Sequence, residues 1–155
     1  MRIVIQRVLE ASVTIDGEVV GKVGEGMMIL VGVEDGDTRE DADWLVGKTL
    51  RLRIFDDEAG VMNRSIEDVG GSALVVSQFT LHASTRKGNR PSYIRAAKEE
   101  FSRPLYEYYV ESLRSTLGEE RIATGRFGAD MKVGLINNGP VTIIIDSKLK
   151  EYIQV

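Results

Sequence analysis

From Arg2 to Val33, apolar side chains recur at alternate positions or in short runs, and the pattern breaks only at Asp16-Gly17 and around Gly24 and Gly26. A period of two is the signature of strands with one or both faces buried, and Asp-Gly between two such runs is a hairpin signal. The first fifth of the chain is therefore predicted to be a β-meander of strands over Arg2–Ile15, Glu18–Val23 and Met27–Val33. Whatever follows has to pack on that sheet or extend it.

Helical spacing starts only after the meander. Asp37-Thr38 supplies an N-cap, Glu40 and Asp41 stand in the first turn, and Ala42, Leu45, Val46 and Thr49 fall on one side, which predicts an amphipathic helix of about four turns. Short strands near Arg53–Phe55 and Val61-Met62 flank the turn Asp56–Gly60. Gly70-Gly71 leads into a buried strand expected over Ala73–Leu81, and a loop over His82–Ser92 follows it. A second helical region, punctuated by Pro104, carries Leu105, Tyr109, Ser112, Leu113 and Leu117, with its aromatics read as core. Arg121–Thr124 reads as a short strand and Gly125–Asp130 as a glycine-rich loop. Met131–Asn137 and Val141–Ser147 are predicted to pair antiparallel about a turn at Asn138-Gly139. These elements describe an α+β single domain over residues 1–155, with a mainly antiparallel sheet partly closed into a barrel and two helices. Its leftover sheet edges invite a homodimer.

The composition narrows the chemistry. There is no cysteine and only one histidine, His82, so disulfides, zinc–thiolate sites and histidine-based metal centres are out of reach, and neither metal nor cofactor is expected. No GxxxxGK[ST] or GxGxxG loop for nucleotide phosphates occurs. The first residues lack a secretory apolar core, and no apolar run approaches the roughly 20 residues of a membrane span, so a soluble, cytoplasmic protein is expected. A net charge of -4 argues against indiscriminate binding to nucleic acid. Charge is nevertheless segregated: residues 69–98 contain no acid, where the average would place about four or five, yet they hold Arg86, Lys87, Arg90, Arg95 and Lys98. That stretch reads as a solvated basic loop or as a surface for phosphates.

Two motifs remain after the scaffold is assigned. In Ser77-Gln78-Phe79-Thr80, strand alternation would put Ser77 and Phe79 on one face and Gln78 and Thr80 on the other. The segment forms a site only if a bulge or strand end re-aims it and frees backbone N–H groups for an oxyanion; otherwise it is a buried strand with its polar groups paired internally. Strand periodicity places His82 on the same face as Thr80, which raises a Thr–His pair, but no third orienting group accompanies it, and a partly exposed histidine at a strand end is the favoured reading. Gly139-Pro140 offers carbonyl oxygens at a protruding tip that another surface can approach closely.

Together with Gln6-Arg7-Val8, Ala11-Ser12-Val13-Thr14, the loop Thr85–Ser92 and Phe127-Gly128-Ala129-Asp130-Met131, these two motifs closely resemble the D-aminoacyl-tRNA deacylases, in order, from Met1 to about Ser147. The resemblance implies a homodimeric cytoplasmic hydrolase that cleaves the ester between a D-amino acid and the terminal adenosine of tRNA. It implies a cis Gly139–Pro140 bond, a tip that enters the active site of the other subunit, and rejection of L-amino acids by that backbone wall. Glycyl-tRNA mischarged on tRNA(Ala) would also enter. It further implies oxyanion donors on the backbone of Phe79 and Thr80, positioning by Ser77 and Gln78, and help from the substrate's own 2′-hydroxyl. The Thr80 hydroxyl is the alternative nucleophile. Phe127 and Met131 match positions around the terminal adenine, Arg7 one that supports the tip, and Arg86, Lys87 and Arg90 a track for acceptor-stem phosphates. Two positions depart from the pattern: His82 stands where tyrosine is frequent, and Asn138 where aspartate is common. The alternatives are a noncatalytic binder of RNA 3′ ends, and a related deacylase with a trans Gly-Pro bond that accepts L-alanine.

Overall fold

A computed structural model describes residues 1–150; the last five positions of the domain expected over 1–155 lie outside the described residues. The meander forms as its periodicity requires, with β1 over Arg2–Ile15, β2 over Glu18–Val23 and β3 over Gly26–Gly32. Helix α1 follows (Arg39–Arg51), then the small hairpin of β4 (Phe55–Asp56) and β5 (Met62–Arg64), β6 (Ser72–Ser77), helix α2 (Glu99–Leu117), β7 (Ile122–Thr124) and β8 (Lys132–Asp146).

Six strands form one mixed sheet in the order β2-β1-β3-β6-β7, with β8 also paired to β1. The β1 pairings are antiparallel, whereas β3–β6 and β6–β7 are parallel because α1 and α2 serve as crossovers. β8 runs along β1 from Arg2 to Thr14, so β3 and β2 share the other edge, and the sheet bends until β2 meets β7. The result is a nearly closed barrel with two helices, as expected.

Burial explains the composition of the strands. Ile3, Ile5, Met27, Ile29, Val31, Ala73 and Val75 face the helices and pack with Leu45, Tyr109 and Leu113. Val8, Val13, Met28, Leu74 and Val76 point the other way and fill the barrel. β3 and β6 are buried on both faces, which is why they read as unbroken apolar runs. Tyr106 Oη donates to the Val75 carbonyl at 2.9 Å, and Tyr109 Oη lies 2.8 Å from Thr49 Oγ1, so α2 is tied to both β6 and α1. The helix continues through Pro104, which lies on its exposed face with Glu100, the residue whose carbonyl loses its usual intrahelical donor.

One expectation fails here. Met131–Asn137 and Val141–Ser147 do not pair with each other; they are the two halves of β8, and each half pairs with the long β1. A tight Asn-Gly hairpin needs positive φ at its turn residues, and Gly139 has none. With 14 residues of β1 available as a template, the continuous strand satisfies more backbone groups. The Gly139-Pro140 tip is a bulge in that strand: Gln6 opposes Thr142 and Val8 opposes Asn137, which leaves four residues of β8 facing Arg7 alone.

Candidate active site

The strand expected to run to Leu81 stops at Ser77. Gln78 makes one last sheet bond, its N–H donating to the Val31 carbonyl at 2.7 Å, and the chain then turns into a single 3₁₀ turn over Phe79–His82. Gly32 on β3 permits that departure, because a Cβ there would stand 3.0 Å from Leu81 Cβ and 3.1 Å from both the Gln78 carbonyl oxygen and His82 Cδ2. Arg2 fastens the turn from the other side, donating from Nη1 to the Leu81 carbonyl at 2.7 Å and from Nε to Asp146 at 2.8 Å.

A turn of this kind leaves its first N–H groups without local acceptors. Leu81 N–H is taken by the Gln78 carbonyl, but no hydrogen bond among the described residues uses the N–H of Phe79 or Thr80. The Gln78 side-chain amide donates to the Thr80 hydroxyl oxygen. The strand end is thus the re-aiming device that the sequence left open, and the alternation assumed for Ser77 to Thr80 does not apply.

His82 is not the partly exposed residue expected at a strand end. It is 1% exposed, and its Nδ1 stands 3.0 Å from Glu34 Oε2 without the alignment of a hydrogen bond. Burial holds its pKa below the usual 6.5 even though the Glu34 carboxylate pulls the other way. The folded chain therefore takes up this proton less readily than the unfolded chain. Its contribution to stability is complete above about pH 6.5 and declines as pH falls below it. Melting temperatures compared at pH 7.5 and pH 5 should show a smaller drop for His82→Phe than for the parent protein.

Beside the turn lies a cleft of about 410 Å³ that brings Ser77, Gln78 and Phe79 together with Phe127 and Met131. Phe127 packs on Tyr106 with ring centroids 5.8 Å apart, and the Arg103 guanidinium lies 5.9 Å above the Phe127 ring. Tyr106, Ser102 and Asp130 also line this cleft. Sequence reading missed all three as site residues; Tyr106 is indeed core, and only the tertiary fold places its ring beneath Phe127.

Arg7 reaches the tip. It is nine-tenths buried, its Nε donates to the Asn138 carbonyl at 2.7 Å, and its Nη1 donates to the Ile54 carbonyl at 2.7 Å and to Asp56 at 3.2 Å. Asn137 pins the base of the bulge, its Nδ2 donating to the Arg7 and Val141 carbonyls at 3.0 Å each. The Gly139–Pro140 bond is cis, both residues are exposed, and neither lines the cleft of its own chain. Arg86, Lys87 and Arg90 stand exposed on a loop closed by reciprocal Ser84–Ser92 backbone bonds of 2.8 Å, and none of the three lines the cleft.

A family model described as D-Tyr-tRNA(Tyr) deacylase matches residues 4–146. A D-aminoacyl-tRNA deacylase of Phocaeicola vulgatus is 64% identical over 151 residues, which cover 97% of this chain and 100% of that protein. Among solved structures, the c-Myc DNA Unwinding Element Binding Protein superposes with a TM-score of 0.90 at 41% identity, over 94% of this chain and 98% of the other. A structure described as a probable eukaryotic D-amino acid tRNA deacylase superposes with a TM-score of 0.81 at 20% identity, over 94% and 98% of the two chains, a likeness of fold.

Proposed function

The chain belongs to the D-Tyr-tRNA(Tyr) deacylase family, and on that premise we propose that it is a cytoplasmic hydrolase of D-aminoacyl-tRNA esters that works as a homodimer. The observation that carries this reading is the pair of N–H groups on Phe79 and Thr80 that no hydrogen bond among the described residues uses, on a turn whose Phe79 lines a cleft together with Phe127 and Met131. Phe127 stacks on the terminal adenine and Met131 lines the same pocket. The ester carbonyl then lies against the turn, where the Phe79 and Thr80 N–H groups stabilise the tetrahedral oxyanion and Ser77 and Gln78 set its orientation.

No side chain serves as general base in this reading. His82 is buried behind the turn, and the Thr80 hydroxyl already accepts a hydrogen bond from Gln78. The 2′-hydroxyl of the substrate ribose, close to the reacting carbonyl by covalent geometry, positions and helps activate the attacking water; the water oxygen bonds to the carbonyl carbon, the ester C–O bond breaks, and the water's proton leaves with the ribose oxygen. The Gly139-Pro140 tip, exposed and absent from its own cleft, enters the cleft of a second copy. There its carbonyls accept hydrogen bonds from the substrate ammonium, and its backbone fills the space an L side chain needs. Selection is then exclusion of one enantiomer, and glycyl-tRNA mischarged on tRNA(Ala) passes because it has no side chain to exclude. Arg86, Lys87 and Arg90 meet acceptor-stem phosphates.

Incubation with D-tyrosyl-tRNA, L-tyrosyl-tRNA, glycyl-tRNA(Ala) and L-alanyl-tRNA tests this. Release from the first and third alone is expected; equal release from both tyrosyl esters would end the exclusion mechanism, and release of L-alanine would favour the related deacylase. A second reading, a noncatalytic nucleic-acid binder, draws on the name of the 41% identical c-Myc DNA Unwinding Element Binding Protein. It requires binding without release of any amino acid. Thr80→Ala is expected to keep kcat within about tenfold of the parent. Near-complete loss with intact folding and RNA affinity would instead point to a covalent route through the hydroxyl.

A further inference from the structure

Three large side chains stand in water although the chemistry above does not use them: Phe79 on the cleft wall, Tyr93 packed against it, and Ile94 next to Tyr93 in sequence. Phe79 is 57% exposed, Tyr93 41% and Ile94 83%. The Phe79 and Tyr93 rings meet edge to face, centroids 5.1 Å apart with planes at 74°. The segment bearing them is held in shape: Ser84 and Ser92 close the basic loop, the Ala96 N–H donates to the Tyr93 carbonyl at 3.0 Å, and the Asp35 N–H donates to the Arg95 carbonyl at 3.3 Å.

Charge says what such a rim fits. Arg86, Lys87, Arg90 and Lys98 are exposed on the same stretch, which has no acid of its own, while Arg95 is paired with Glu34 at 2.8 Å. The centre of a protein–protein contact is depleted in charge, whereas aromatic faces beside a cationic border make up a platform for single-stranded nucleic acid. The rim is also continuous with the cleft, because Phe79 belongs to both. A terminal adenosine seated against Phe127 has room to send its 5′ neighbours out past Phe79, which lines the same cleft.

We propose that the Phe79 ring, Tyr93 and Ile94 form a stacking platform for the unpaired bases just 5′ of the terminal adenosine of the substrate RNA. The inference rests on the deacylase reading and gives the same site a second binding element, one that senses the RNA beyond its last nucleoside.

Two esters separate the parts of this claim: D-tyrosyl-tRNA, and D-tyrosyl-adenosine, which carries the terminal nucleoside alone. Tyr93→Ala and Ile94→Ser alter exposed side chains, so circular dichroism and melting should report a folded protein. On the tRNA ester, kcat/KM is expected to fall about ten- to a hundredfold for Tyr93→Ala, through KM with kcat held. The loss on the adenosine ester should be at least tenfold smaller, and Tyr93→Trp should restore the tRNA rate. Equal losses on both esters, or no loss on either, would overturn the platform. So would a loss that tracks dissociation of the protein in light scattering, which would make the rim a contact between copies of this chain. Failure of the parent protein to cleave either ester would instead sink the deacylase reading, and this inference with it.

Discussion

Gly139→Ala is expected to lower kcat/KM for D-aminoacyl-tRNA by about two orders of magnitude while changing stability by less than about 1 kcal/mol. A Cβ at this position would press into the backbone nitrogen of Val141 and reach within 2.5 Å of Asn137 Oδ1. Asn137 cannot step aside without giving up the bonds its amide makes to the Arg7 and Val141 carbonyls. The tip itself therefore has to move, and a displacement near 1 Å is enough to cost about a hundredfold when the displaced group positions the substrate. Stability changes little because the tip is exposed and buries no apolar surface of its own. Mixed dimers test the route of action. A subunit carrying Gly139→Ala keeps a sound cleft, and one carrying Gln78→Ala keeps a sound tip. If tips act across the dimer, mixing the two weakened proteins under exchange conditions raises activity above that of either alone; if each tip serves its own cleft, mixing gives no gain.

How much of this could be read beforehand depends on whether the governing force was local. The meander, α1 and the core face of α2 follow from side-chain periodicity, which is a local property, and they stand where the pattern placed them. The fate of Ser77 to Thr80 was not local. The strand ends there because Gly32, forty-five residues earlier, leaves room for the turn, and because Arg2 reaches over to hold the Leu81 carbonyl. Asn138-Gly139 carries the local signal of a hairpin, but the long β1 offers both flanking segments a better partner, so tertiary pairing overrides turn propensity. His82 was misjudged for the same reason: its burial comes from β3 and from Glu34, and neither is near it in sequence. Ser77, Gln78, Phe79, Phe127 and Met131 are legible from motifs, and folding brings them to one cleft, whereas Ser102, Tyr106 and Asp130 join it only through the tertiary fold. Tyr93 carried no motif at all, and only its contact with Phe79 singles it out.

Arg7→Met is expected to melt about 4–8 °C below the parent and to lose most of its discrimination between D- and L-tyrosyl-tRNA. The arginine sits in the gap of β1 that faces the bulge, and its guanidinium is the donor for two carbonyls, Asn138 on the tip and Ile54 just before β4. Methionine fills a similar volume but donates nothing. The Ile54 carbonyl, on a residue only 4% exposed, then lacks a partner, at a cost of about 2 kcal/mol. The Asn138 carbonyl is nearer solvent and can hydrate, so its loss registers less in stability than in where Gly139 and Pro140 point. Arg7→Lys separates charge from geometry: a lysine keeps the attraction to Asp56, 3.2 Å from the arginine, but a single ammonium cannot reproduce the planar fork that spans both carbonyls. Its melting temperature should fall less than that of Arg7→Met, while its ratio of D to L hydrolysis should fall almost as far. Should Arg7→Lys keep the parent's ratio, charge near the tip would be what matters, and the planar fork would not.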